Sequence, residues 1–139
     1  MEGERYNVEI MSRFESLEDI ERLIQNKIQE SLTLEYKKDL DKKNSEIAKD
    51  ISAFANTLGG VIIYGIEEIR EIPTSKNWIK GTNIKERIES ITLTSIQPRI
   101  EDVVIKPILN PDNPSQAIFV VNIPESPDAP HMANHGYSS

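Results

Sequence analysis

The 139-residue sequence has no cysteine. That excludes disulfides and thiolate metal sites, and it fits a reducing compartment, so a cytoplasmic location is expected. Long apolar runs are also missing: none approaches the roughly 20 residues that a membrane-spanning helix needs. The acidic start, Met1-Glu2-Gly3-Glu4, lacks the basic-then-apolar pattern of a signal peptide, and no membrane partner is expected. Bases are short too, 16 against 23 acids for a net charge of −7, and that deficit counts against nucleic-acid binding. Its distribution softens the objection. Residues 1–30 hold eight acids and four bases, which leaves −3 for the other 109 residues. Among those, Lys37, Lys38, Lys42 and Lys43 sit close together. What remains, 37% apolar and 28% charged residues, describes an ordinary globular chain with material for one core.

The periodicities predict an α+β fold, with a mixed β-sheet, flanking helices and an amphipathic N-terminal helix. Over 14–29, Leu17, Ile20, Ile24 and Ile28 fall at helical spacing with acids between them. This helix is expected to pack against the domain or to pair two copies of the chain. Leu32, Leu34 and Tyr36 alternate with Thr33, Glu35 and Lys37, a short strand. A second helix follows, with Asn44 or Ser45 as N-cap, the stripe Ile47, Ile51, Phe54 and Leu58, and Gly59-Gly60 as its stop. Val61 to Ile66 is apolar enough to be a central strand buried on both faces. Residues 67–77 contain Pro73 and predict a hairpin or loop, followed by a short Trp78-Ile79 segment with Trp78 as a packing residue. A third helix over 83–96 ends at Pro98. Two strands follow, Val103 to Leu109 and Ala117 to Ile123, joined by Asn110-Pro111-Asp112-Asn113-Pro114. The expected organisation is a helical segment over 1–29, a domain over 30–130 and a polar tail over 131–139 that holds His131 and His135. Asn56 and Thr57 are expected to bond the backbone where the second helix ends.

Four stretches, in this order and spacing, carry a resemblance. They are Glu30-Ser31-x-x-x-Glu35-Tyr36-Lys37, Ile51-Ser52-Ala53-Phe54-Ala55-Asn56-Thr57-Leu58-Gly59-Gly60, Val61-Ile62-Ile63-Tyr64-Gly65-Ile66-Glu67-Glu68, and Ile123-Pro124-Glu125-Ser126 running to Pro130. Together they resemble the Schlafen AlbA-type domain, from Glu30 to about Pro130. The resemblance implies nucleic-acid handling. In nuclease members of that family three acids bind a divalent metal and RNA, often transfer RNA, is cut. The acids map here onto Glu30, Glu35 and one of Glu67 and Glu68, with Glu67 preferred. Tyr36 stands where Phe is usual, and two glutamates stand where an Asp-containing pair is more common. The resemblance also implies further domains, because many relatives continue past the point where this chain stops.

The chemistry is coherent on its own terms. Carboxylates hold Mg²⁺ or Mn²⁺, which neutralise phosphate and activate a nucleophile. Glu35 and Lys37 share one strand face, so a cation stands beside a candidate ligand. The expected catalytic residues are therefore Glu30, Glu35, Lys37 and Glu67, with metal at Glu30, Glu35 and Glu67. Lys38, Lys42 and Lys43 are expected to grip the nucleic-acid backbone. The leading expectation is a metal-dependent endoribonuclease acting on structured RNA such as tRNA, in stress or antiviral defence. Its rivals are a non-catalytic DNA- or RNA-binding module of a larger regulator and a protein-interaction domain.

Overall fold

Residues 14–134, the part of the chain that this computed structural model describes, contain three helices and nine strands. Helix α1, Leu17–Gln25, opens with a reciprocal cap. Ser16 Oγ accepts from the Asp19 N–H at 3.3 Å, and the Asp19 carboxylate accepts from the Ser16 N–H at 3.1 Å. Such a box satisfies donors that the first helical turn leaves open. The helix is shorter than the apolar spacing over 14–29 predicts, because Lys27 turns to a positive φ of 51°. Ile20 and Leu23 are buried, and Ile28 packs on the same cluster from outside the helix.

The main sheet is built from β1 (Leu34–Lys37), β2 (Gly60–Tyr64), β5 (Ile79–Lys80), β7 (Val104–Asn110) and β8 (Asn113–Ile123). Strands β1 and β2 run parallel and are linked by helix α2, Asn44–Ala55, while β8 runs antiparallel to β2, β5 and β7. Alternation along the strands divides the core in two. Ile62, Tyr64, Phe119, Val121 and Ile123 face α2 and helix α3, Ile84–Thr94. Leu34, Tyr36, Val61, Ile63, Ile118 and Val120 face α1. A sheet covered on both faces needs apolar residues at every position, which is why β2 and the end of β8 read as continuous apolar runs. Leu32 is 83% exposed and lies in a turn before β1, so the strand begins two residues later than its alternation suggests.

Helix α2 starts differently from expectation. Lys43 stands at the N-cap without a side-chain cap. Asn44 is diverted to α3, its Oδ1 accepting from Arg87 Nε at 2.9 Å. Arg87 Nη2 also donates to the carbonyls of Asp41 at 2.7 Å and Lys42 at 3.2 Å, which fixes the loop before α2.

The polar-tail reading of 131–139 does not hold for its first residues. Met132–Ala133 forms β9, paired with β6 (Ile96–Gln97), and His131 is buried. Its Nδ1 lies 2.5 Å from the Pro98 carbonyl and its Nε2 2.6 Å from Ser126 Oγ. Asn56 brackets the His131 backbone, accepting from its N–H at 2.6 Å and donating to its carbonyl at 3.0 Å. Asn56 therefore bonds backbone, as expected, but 75 residues away rather than locally. Thr57 does bond locally, to the carbonyls of Ala53 and Phe54. His135 lies outside the described residues. Removing the imidazole takes a partner from the Pro98 carbonyl and one from the Ser126 hydroxyl, which keeps only the Asp128 N–H at 3.2 Å, so His131→Ala is expected to lower unfolding free energy by about 2 kcal/mol. A urea titration reads this, and a change within about 0.5 kcal/mol would show that the ring carries no stability.

Candidate functional site

Strands β3 (Ile66–Ile69) and β4 (Ile72–Lys76) form a hairpin beside β1. Its two tip residues, Arg70 and Glu71, both have positive φ, 53° and 70°. That is the backbone of a primed two-residue turn, which Asn-Gly adopts with least strain. Arg and Glu hold it here because the tip is tied down from three directions. The Glu71 carbonyl accepts from the Glu30 N–H at 2.9 Å, its N–H donates to Glu68 Oε2 at 2.5 Å, and its carboxylate accepts from Gln29 at 3.2 Å. The hairpin is thus docked on the segment that carries Glu30. Register slips by one between Glu67 and Glu68, with Thr74 the extra residue on β4. A bulge of this kind sharpens local twist.

Between β1 and the hairpin lies a cleft of about 330 Å³ lined by Glu30, Glu35, Tyr36, Lys37, Lys38, Glu67 and Glu68. It gathers all four expected catalytic residues, Lys38, and both members of the acidic pair. Lys42 and Lys43 do not line it; both are exposed in the loop before α2. Glu30 is partly committed, since its Oε2 accepts from the Tyr36 N–H at 2.8 Å and so closes off one donor on the edge of β1. Tyr36 in turn donates its hydroxyl to the Ile28 carbonyl at 2.6 Å, with its ring in the core. Phe at this position would pack the same way without that bond.

Charge in the cleft is finely divided. Burial pushes the Glu35 carboxyl above its ordinary range; Lys37 opposes the shift, and Asp50 and Glu30 add to it. Lys37 pairs with Asp50 of α2 at 3.5 Å. Asp50 is also raised, by burial first, with Lys37 working against it. Glu67 is held below its ordinary range, chiefly by the hydrogen bond from Ser75 Oγ at 2.9 Å and then by Lys38, 3.3 Å away. The Lys38–Glu67 pair is largely exposed, and such pairs add little stability. It is therefore easily exchanged for another partner.

Asp50 and Ser75 were not apparent as site residues in the sequence. Asp50 sits on a helix among solvated charges, and only the crossing of α2 over β1 brings it to Lys37. The donor set suits a hard divalent ion, being carboxylate oxygen throughout. Even so, among the described residues no three Asp, Glu, His or Cys side chains stand together as a metal-holding group. Glu30 is turned to the Tyr36 backbone, and Glu67 is drawn to Lys38 and Ser75.

A family model described as Schlafen, AlbA_2 matches residues 30–138. Among solved structures, the DIP2311 protein from Corynebacterium diphtheriae is similar, with a TM-score of 0.53 and 15% identity. The match covers 94% of this chain and 24% of that one. At this identity the likeness bears on the fold alone, and this chain spans about a quarter of that protein's length. No curated protein matches the sequence.

Proposed function

This chain belongs to the Schlafen AlbA_2 family, which carries a nucleic-acid-related function, and from that premise we propose that it cleaves structured RNA, such as tRNA, in the cleft between β1 and the β3–β4 hairpin. The observation that supports this is the meeting of Glu30, Glu35, Glu67 and Glu68 with Lys37 and Lys38 in one cleft built from two elements. A phosphodiester is an anion, and a site that cuts it must offset its charge while a general acid or base manages a proton. Lys37 stands two residues from Glu35 on one strand face and stabilises charge at phosphorus. Glu35, whose carboxyl burial pushes above its ordinary range, is the group suited to proton transfer. Lys38 exchanges Glu67 for a phosphate oxygen, and Lys42 and Lys43 extend the contact along the backbone. Mg²⁺ or Mn²⁺ would be held by Glu30, Glu35 and the released Glu67, and would supply charge neutralisation at the phosphate. A cytoplasmic setting and a role in stress or antiviral defence belong to the same proposal by family analogy.

A second reading, binding of RNA or DNA without cleavage, is favoured by one specific observation. Glu30 and Glu67 are already engaged within the protein. The test is incubation with total tRNA in Mg²⁺, in Mn²⁺ and in chelator, read on a denaturing gel beside a salt-titrated binding assay. Discrete fragments that require metal are expected. Intact RNA bound in a salt-dependent way would establish the second reading, and no binding at low salt would remove nucleic acid from this cleft. Lys38→Ala is expected to weaken binding across all sequences and to reduce the salt slope by about one. An unchanged slope would take Lys38 out of phosphate contact.

A further inference from the structure

A second cavity, about 240 Å³, opens on the other side of Lys37, which lines both spaces. Leu40 and Ile47 supply its apolar walls, Asp39, Asp41 and Asp50 its carboxylates, and Tyr64 completes the lining. Tyr64 is 1% exposed, and its hydroxyl is fully buried with no hydrogen-bond partner among the described residues. Tyr64 shares the cavity lining with Asp50 and Asp41. A buried hydroxyl without a partner is costly, and such atoms call for an explanation.

The lining defines what would satisfy it. The three carboxylates accept hydrogen bonds, so the occupant brings N–H donors. The hydroxyl needs a partner of either kind. Leu40 and Ile47 suit an apolar face. At 240 Å³ the space is smaller than the roughly 300–1,000 Å³ of sites for drug-sized ligands. Single-stranded RNA is read by taking up unstacked bases through their hydrogen-bonding edges. Building on the reading of the neighbouring cleft as the phosphate site, we propose that this cavity holds one unstacked nucleobase of the bound strand, guanine by preference. The adjacent phosphate then lies on Lys37 and Lys38. Guanine presents two neighbouring donors, a ring N–H and an amino group, which a single carboxylate takes together. Adenine presents an amino donor beside an acceptor, which a carboxylate repels.

The experiment is an amide NMR titration of the ¹⁵N-labelled chain with GMP, inosine monophosphate, AMP and UMP. GMP is expected to shift the Leu40, Ile47 and Tyr64 resonances. Inosine monophosphate, which lacks the amino group, should bind about tenfold more weakly, as the loss of a bond to a charged group implies. Tyr64→Phe should weaken GMP binding about fivefold or more while leaving the melting temperature equal or higher, because the lost hydroxyl had no partner. Asp50→Asn, a half-buried helix position, should remove the preference for GMP over AMP without unfolding the chain. If no nucleotide shifts these residues while RNA still binds with its Lys38 dependence, the base site is wrong and the phosphate cleft stands. If GMP binds here while RNA is neither bound nor cut, the cleft reading fails and the base site stands. Equal binding of all four nucleotides would overturn the guanine preference.

Discussion

Glu35→Gln is expected to cost a hundredfold or more of the RNA-cleaving rate and, in the same protein, to raise the melting temperature at neutral pH. The rate loss follows from the place of Glu35 in the cleft, half-buried between Lys37, Asp50 and Glu30. A positioned acid or base typically contributes about 10²–10⁴-fold. The stability gain follows from the direction of its pKa shift. Burial raises the carboxyl above its ordinary value in the folded state only. Below the ordinary value the group is protonated folded and unfolded, and it costs nothing. As pH rises through the folded-state value, the folded protein must ionise a carboxyl that the unfolded chain ionises more readily. Stability is lost through that window and stays lost above it. The amide avoids the loss, so thermal melts at pH 7 should favour the variant, and melts at pH 4 should show little difference. Equal gains at both pH values would mean that ionisation is not the cause. Wild-type cleavage by the variant would remove Glu35 from the chemistry.

Gly59→Ala should destabilise the fold by about 3 kcal/mol or more, the scale of a backbone forced against its neighbours at a left-handed position. Gly59 follows α2 with φ of +73°, and its N–H donates to the Phe54 carbonyl at 2.8 Å to end the helix. A methyl group there would stand 2.6 Å from both the Glu125 nitrogen and the Ile123 carbonyl oxygen. These are main-chain atoms at the end of β8, whose Ile123 pairs with Gly60 of β2. No rotamer change can relieve the contact, so either β8 or the turn must move. Because β2 leads directly to the hairpin bearing Glu67 and Glu68, the loss should appear in chemical denaturation and in RNA binding together. A decrease under about 1 kcal/mol would show that the junction yields locally.

Sequence legibility followed the range of the interactions. Ile47, Ile51 and Phe54 of the α2 stripe, the Gly59-Gly60 stop, the buried run of β2 and the turn before β8 were readable because each depends on neighbours within a few residues; Leu58, the fourth member of the expected stripe, lies beyond the end of the helix and is 56% exposed. The alternation of β1 correctly sent Glu35 and Lys37 to the face opposite Leu34 and Tyr36. The sequence favours Glu67 over Glu68, and both line the cleft. The misses were long-range. Asn44 carried a good capping signal, but Arg87, 43 residues away, takes its side chain. His131 sits in polar, proline-rich sequence, and only contacts with Pro98, Ser126 and Asn56 make it a buried residue. Tyr64 meets Lys37 through the parallel register of β1 and β2, and Asp50 meets it from α2, the helix that links those strands. No local pattern reports a pairing made across a helical crossover.

Strand β8 pairs with β2, β5 and β7, yet it is the last of the main-sheet strands to be synthesised. On the ribosome, then, β1, α2 and β2 can associate early as one crossover unit, while the second edge of β2 stays open until residue 123 has emerged. That edge is Val61 to Tyr64, buried in the finished fold and apolar on both faces. An unpaired apolar edge invites strands from other chains. A nascent chain stalled or cleaved before Asn113 thus presents a template for aggregation until the last strand is made.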